Sequence, residues 1–142
     1  MNIEIERNPS RHDTDLLSRG IVSFNEQAVS DLEPIDEEKR FHVLARDSEG
    51  SLQGGIRATC YWNTLHIELL WISETARGAG IGRKLMQKAE AFARECGCEN
   101  AFVETTSWQA RPFYEKNGYN HTATLEDRPK GHSSHYLTKV LA

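Results

Sequence analysis

Gly78, Gly80 and Gly82 alternate within Arg77-Gly-Ala-Gly-Ile-Gly82, and an amphipathic pattern starts directly behind them. From about residue 80 to 96, Ile81, Leu85, Met86, Ala89, Phe92, Ala93 and Cys96 fall on one helical face. Arg83, Lys84, Gln87, Lys88, Glu90, Arg94 and Glu95 fall on the other. Gly97 suits the helix C-cap. Strand-like runs at 65–72 and 101–105 flank this helix. The order strand, glycine turn, helix, strand is a crossover, and it needs a sheet for the apolar helix face to cover.

The rest of the chain supplies that sheet. Ile3 and Ile5 alternate with Glu4 and Glu6 as a short half-buried strand would. Leu16, Leu17, Ile21, Phe24 and Ala28 recur near helical spacing, which predicts a helix over about 14–29. Residues 31–38 are acidic and include Pro34, so they read as a loop or short helix. Strands follow at 41–45, 52–61 and 65–72, joined by short turns at 47–50 and 62–64, hence antiparallel. A short helix holds Phe113 to Lys116, begins near 109–111 because of Pro112, and closes at Asn117-Gly118. Strands at 119–125 and 135–140 end the chain. With no internal repeat or linker, the expectation is one domain over 1–142. Its class is α/β (α+β), a central mixed, mostly antiparallel sheet with helices on both faces.

A chain of 142 residues with 38% apolar content can bury a core without disulfides or metal. Its net charge of −4 makes no broad electrostatic case for nucleic acid or an anionic membrane as partner. No apolar run approaches the roughly 20 residues that span a bilayer. Residues 1–9 lack the apolar core of a signal peptide, so a cytoplasmic location is expected. Cys60, Cys96 and Cys98 are odd in number, and Cys96-Gly-Cys98 is too tight for a Cys-x-x-Cys pair. They read as small core or surface thiols.

Glycines let backbone N–H groups converge on an anion, and a helix N-terminus adds unpaired donors and partial positive charge. The loop therefore reads as a phosphate or pyrophosphate cradle, to which Arg77 and Arg83 add charge-assisted bonds. A Walker A loop is excluded, because Gly82 is followed by Arg83-Lys84-Leu85. A dinucleotide site with Glu104 on the ribose stays open, as does a tight turn with no ligand.

Arg77-x-x-Gly80-x-Gly82 resembles the Gln/Arg-x-x-Gly-x-Gly/Ala motif of the GCN5-related N-acetyltransferase (GNAT) family. Ser107-x-x-Ala110-x-x-Phe113-Tyr114-x-x-x-Gly118-Tyr119 resembles that family's second signature. With the preceding strand, the two motifs cover over a third of the chain. The resemblance implies transfer of acetyl from acetyl-CoA to a primary amine of a small molecule or peptide, by direct attack through a tetrahedral intermediate. No metal is needed, and a homodimer is in keeping with relatives. The alternatives are a non-catalytic acyl-CoA or nucleotide sensor and an NAD-type dinucleotide-binding protein.

Carried over residue by residue, the resemblance places acetyl-CoA in a V-shaped gap between strands 65–72 and 101–105. The backbone of Leu70, Trp71 and Ile72 would hold the pantetheine and the thioester carbonyl. Arg77, Gly78, Ala79, Gly80, Ile81, Gly82 and Arg83 would hold the pyrophosphate. Ser107 and Phe113 complete the cofactor-binding set. Ser107 replaces the Asn of many relatives and has a shorter reach, and a helix-capping role competes. Glu74 replaces a Pro of many relatives. Tyr114 would protonate the departing thiolate; its rival role is a core aromatic. Glu68 would take the amine proton, directly or through water. Regular alternation turns Leu65, Ile67 and Leu69 one way and Glu68 the other, and a strand bulge would alter that register. A solvated ion pair is the rival role for Glu68. His121, His132 and His135 read as loop residues, with His132 or His135 near the acceptor. The run Asp31, Glu33, Asp36, Glu37 and Glu38 is a solvated face or a lure for a cationic amine. Trp71 and Trp108 flank the cleft.

Overall fold

The computed structural model describes every residue from 1 to 142. Its elements are α1 (Arg11–Ala28), β1 (Lys39–Arg46), β2 (Leu52–Tyr61), β3 (Thr64–Ile72), α2 (Ile81–Glu95), β4 (Asn100–Thr106), α3 (Arg111–Lys116), β5 (Asn120–Glu126) and β6 (Ser133–Val140). They fall into two compact units, Met1–Glu37 and Glu38–Ala142.

The first unit is mainly α1. Ser10 starts it, its hydroxyl accepting from the Asp13 N–H at 3.1 Å, three residues before the apolar periodicity signals a helix. Leu16, Leu17, Ile21 and Phe24 do line one stripe of α1, yet none of its residues is buried. Ile3 and Ile5 form no strand and are exposed. Alternation alone does not make a strand; the backbone groups need a neighbouring strand to pair with, and the sheet contains none for them.

The second unit is a six-stranded mixed sheet in the order β1-β2-β3-β4-β6-β5. Only β3 and β4 are parallel, and α2 is the crossover between them. Leu85, Met86, Ala89 and Ala93 of α2 pack with Ile56, Ala58, Leu65, Ile67 and Val103 of β2, β3 and β4. Each large side chain buried this way contributes roughly 1.5–3 kcal/mol. Strands β2 and β3 approach so closely at Gly54 that a Cβ there would sit 2.8 Å from the Trp71 carbonyl oxygen. The polar face of α2 is not wholly solvated. Glu90 is buried, accepting from the Tyr119 hydroxyl at 3.1 Å and from Lys139 Nζ at 2.8 Å.

Two irregularities of β3 create the site. Arg57 pairs with Leu69 while Ala58 pairs with Ile67, so Glu68 is the extra residue of a β-bulge. The bulge reverses the pleat. Leu65 and Ile67 face the core before it, and Leu70 and Ile72 after it, whereas Leu69 is exposed. The regular alternation expected from sequence, with Leu69 on the side of Leu65 and Ile67, is thereby corrected. Parallel pairing of β3 with β4 also ends at Ile67 and Val103. Beyond that point the two strands separate.

Candidate active site

The separation of β3 from β4 opens a cavity of about 530 Å³. Of the residues singled out in the sequence, Glu68, Leu70, Trp71, Ile72, Arg77, Glu104, Trp108, Ala110, Phe113 and Tyr114 line it. Leu69, Val103, Thr105 and Gln109 complete the wall. Thr105 carries no motif, and its only signal in the sequence is position, at the end of the strand that must diverge from β3.

Backbone direction follows from register. Ser73 N–H donates to the Gln53 carbonyl at 2.8 Å, and alternation along an antiparallel pair then turns the Trp71 groups toward β2. The groups of Leu70 and Ile72 turn the other way, toward the gap. In keeping with this, the Ile72 carbonyl accepts from Arg77 Nε at 3.2 Å. Arg77 is thereby braced across the mouth of the cavity. Leu70 and Ile72 can present backbone groups to a ligand in the gap, whereas Trp71 can present its side chain.

The glycine loop stands at the start of α2. Gly78 and Gly80 adopt φ of +84° and +75°, where L side chains are strained, and nothing lies within 4 Å of a Cβ built on either. The first bond of α2 runs from Lys84 N–H to the Gly80 carbonyl at 3.3 Å. The amides of Ile81, Gly82 and Arg83 precede it and have no acceptor within the helix. This is an open cradle with converging donors, and it suits a pyrophosphate. Gly82 has a second task. A Cβ there would meet the Phe113 ring at 3.0 Å and Ile72 Cδ1 at 3.1 Å, so the helix start packs directly on the cavity wall. Gly82→Ala is expected to push Phe113 and Ile72 into the cavity and weaken acetyl-CoA binding roughly tenfold, about 1.4 kcal/mol. Titration calorimetry on the variant and the wild type measures this.

Ser107 does not reach the cavity. Its amide donates to the Ser133 carbonyl at 2.9 Å, and its hydroxyl lies 3.3 Å from His132 Nδ1. It does not cap α3 either, whose N-cap is Ala110. Thr105 Oγ1 accepts from the Ala110 N–H at 3.3 Å instead. His121 and His135 share Thr124 at 2.6 and 2.9 Å on β5 and β6. No group of three metal-ligating side chains forms anywhere in the chain. Of the acidic run, only Glu38 belongs to the sheet unit, where it pairs with Arg40 at 3.1 Å.

Tyr114 is almost fully buried at 6% exposure, its ring edge-on to Phe113 and Tyr119. Burial pushes its phenol up to about 12, so it stays protonated throughout the neutral range. Glu68 is placed differently. Arg57 Nε donates to one oxygen at 2.8 Å and Thr59 Oγ1 to the other at 3.0 Å. Burial by itself would raise this carboxyl. The hydrogen bonds from Thr59 and Arg57, with the charge of Arg57, outweigh it and hold the group below the ordinary carboxylate range. Glu68 is thus a fixed negative charge and a weak proton acceptor. Arg57 and Thr59 are the functional partners that sequence reasoning missed; only the register of β2 against β3 brings them to Glu68.

The family described as Acetyltransferase (GNAT) family matches residues 8–119. The chain belongs to the GNAT family of acetyltransferases. It is 42% identical over 112 residues to a protein named Blasticidin-S acetyltransferase from Streptomyces morookaense, covering 76% of this chain and 82% of that one. The crystal structure of an acetyltransferase from Bacillus cereus matches with a TM-score of 0.84 at 31% identity, over 96% of this chain and 97% of the other. At 19% identity, an aminoglycoside 6'-N-acetyltransferase complexed with coenzyme A shares the fold, with a TM-score of 0.66 over 72% of this chain and 73% of that one. As a GNAT member this protein is an acetyltransferase enzyme, and the dinucleotide reading of the glycine loop is set aside. No helix is long and apolar enough to cross a membrane.

Proposed function

We propose that residues 1–142 form one N-acetyltransferase domain that acts in the cytoplasm and moves the acetyl group of acetyl-CoA to a primary amine of a small molecule. The observation that carries this is the single cavity uniting the diverging ends of β3 and β4, Arg77 beside the glycine cradle, and the Tyr114 phenol. The family match runs from residue 8 to 119, across the boundary between the two compact units, which supports one functional domain.

In this reading the Gly78–Arg83 backbone and the side chain of Arg77 hold the pyrophosphate. Leu70 and Ile72 hold the pantetheine from the edge of β3, and the aromatic faces of Phe113 and Trp71 line its path. An amide of β3 aimed at the thioester oxygen stabilises the charge that develops there. Tyr114 supplies the proton that the leaving sulfur needs. Glu68 draws the ammonium of the acceptor to the gap, and its two engaged oxygens keep it ionised while it does so.

The 42%-identical relative acts, by its name, on blasticidin S, which makes that compound the first acceptor to try. Calorimetry with acetyl-CoA, with NAD as control, is expected to show binding by acetyl-CoA alone with a Kd on the order of micromolar. Thiol release in the presence of blasticidin S then reports transfer. Binding of NAD in preference to acetyl-CoA would sink the proposal. Binding without turnover on any amine would leave a sensor and sink the transferase assignment.

A further inference from the structure

We propose that the polar pocket beside the β3–β4 gap receives the acceptor amine, and that His66 is the catalytic residue that takes its proton. The inference deepens the transferase reading and rests on it. The pocket measures about 450 Å³ and is lined by Arg57, His66, Glu68, Glu104, Thr106 and Gln109. It shares Glu68, Glu104 and Gln109 with the larger cavity. A nitrogen held here lies next to the gap through which a thioester in the larger cavity is reached. The ligand class is a primary ammonium on a polar frame. Glu68, held by Arg57 and Thr59, and Glu104, held by Arg128, keep further lone pairs for such an ammonium, and His66 and Gln109 add hydrogen-bonding groups. Thr106 Oγ1 is buried and has no hydrogen-bond partner within the protein.

Glu68 is a weak base, since the hydrogen bonds from Arg57 and Thr59 hold its carboxyl below the ordinary range. His66 precedes the bulge by two residues and shares a face of β3 with Glu68. Its ring stacks on Phe102 at 4.1 Å and 10°, which fixes its plane, and it lines the pocket. The groups around it are Glu68 on its own strand, Glu104 on β4, Arg57 on β2, and Glu38 and Arg40 near β1 in the adjoining pocket. Burial lowers its pKa, so the resting imidazole is neutral, while Glu68 and Glu104 favour the cation it becomes.

The protons balance as follows. One N–H bond of the ammonium breaks and its proton goes to a ring nitrogen of His66, which leaves a free amine. The amine nitrogen bonds the thioester carbon, and the C–S bond breaks. The second nitrogen proton reaches the sulfur by way of Tyr114, which donates one proton and regains one. His66 then releases its proton to water through the adjoining pocket lined by Glu38, Arg40 and Tyr61.

The test compares wild type with His66→Gln, which keeps polarity but does not titrate. Thiol release from acetyl-CoA is followed from about pH 5 to 9, across the ordinary imidazole pKa. The acceptor probes are blasticidin S, spermidine and benzylamine, used with calorimetry of acetyl-CoA binding. Wild-type kcat/KM is expected to fall on an acid limb below about pH 6.5. In His66→Gln the limb disappears and the rate drops on the order of a hundredfold, with the Kd for acetyl-CoA unchanged. A variant that keeps both the limb and the rate overturns the assignment of His66 and leaves the transferase reading standing. A wild type that binds acetyl-CoA but acetylates none of the amines overturns both. Should His66→Gln fail to fold, NMR titration of the wild-type imidazole decides: a midpoint away from the kinetic limb overturns the assignment.

Discussion

Tyr114→Phe is expected to lower kcat about a thousandfold while leaving acetyl-CoA affinity and folding nearly intact. The ring is buried against Phe113 and Tyr119, and Phe preserves those contacts. Only the phenol oxygen of this cavity-lining residue is lost. A burial-raised phenol, at about 12, is an acid held ready across the working pH range and is useless there as a base. The sign of its pH dependence follows: the active, protonated form persists up to about 12, so Tyr114 contributes no alkaline limb near neutrality. A kcat within about twofold of wild type would return Tyr114 to the role of a core aromatic and require another proton source for the sulfur.

Lys139→Met is expected to cost about 3 kcal/mol of stability, which for a chain of this size lowers Tm by on the order of 10 °C. Lys139 Nζ donates to both oxygens of buried Glu90, at 2.8 and 3.2 Å, and to the Asn117 carbonyl at 2.8 Å. Removing it leaves a carboxylate with 5% exposure whose remaining partner is the Tyr119 hydroxyl. The loss of an ion pair would matter little at a surface; here the uncompensated buried charge sets the magnitude. Glu90→Gln combined with Lys139→Met should recover much of the loss, because no charge is then stranded. Thermal and urea unfolding of the three proteins measure this. A single variant as stable as wild type would mean that water reaches Glu90 and replaces the lysine.

Glu90 also shows how far sequence periodicity carries. Its spacing predicts the solvent face of α2, and its burial depends on Lys139 and Tyr119, 49 and 29 residues away. Glu68 is the same lesson at the active site. Its place on the cleft strand was legible, but its engaged oxygens were not, because Arg57 and Thr59 come from a neighbouring strand in bulged register. His66 carried no motif and became visible only when Phe102 and Glu104 came alongside from β4.

The sequence by itself determined the order of strands and helices after α1, the crossover helix, the glycine cradle and the family motifs. These depend on local periodicity and on backbone positions that only glycine fills without strain. The tertiary structure decided that the Ile3–Ile5 segment forms no strand, that α1 buries none of its residues, and that Ser107 stays out of the cavity. It also set the bulge at Glu68 and the end of β3–β4 pairing at Ile67, which together open the site. The physical reason is that pairing, bulges and the protonation of buried groups depend on what lies across the sheet. Neighbours distant in the chain supply those surroundings, and no local pattern encodes them.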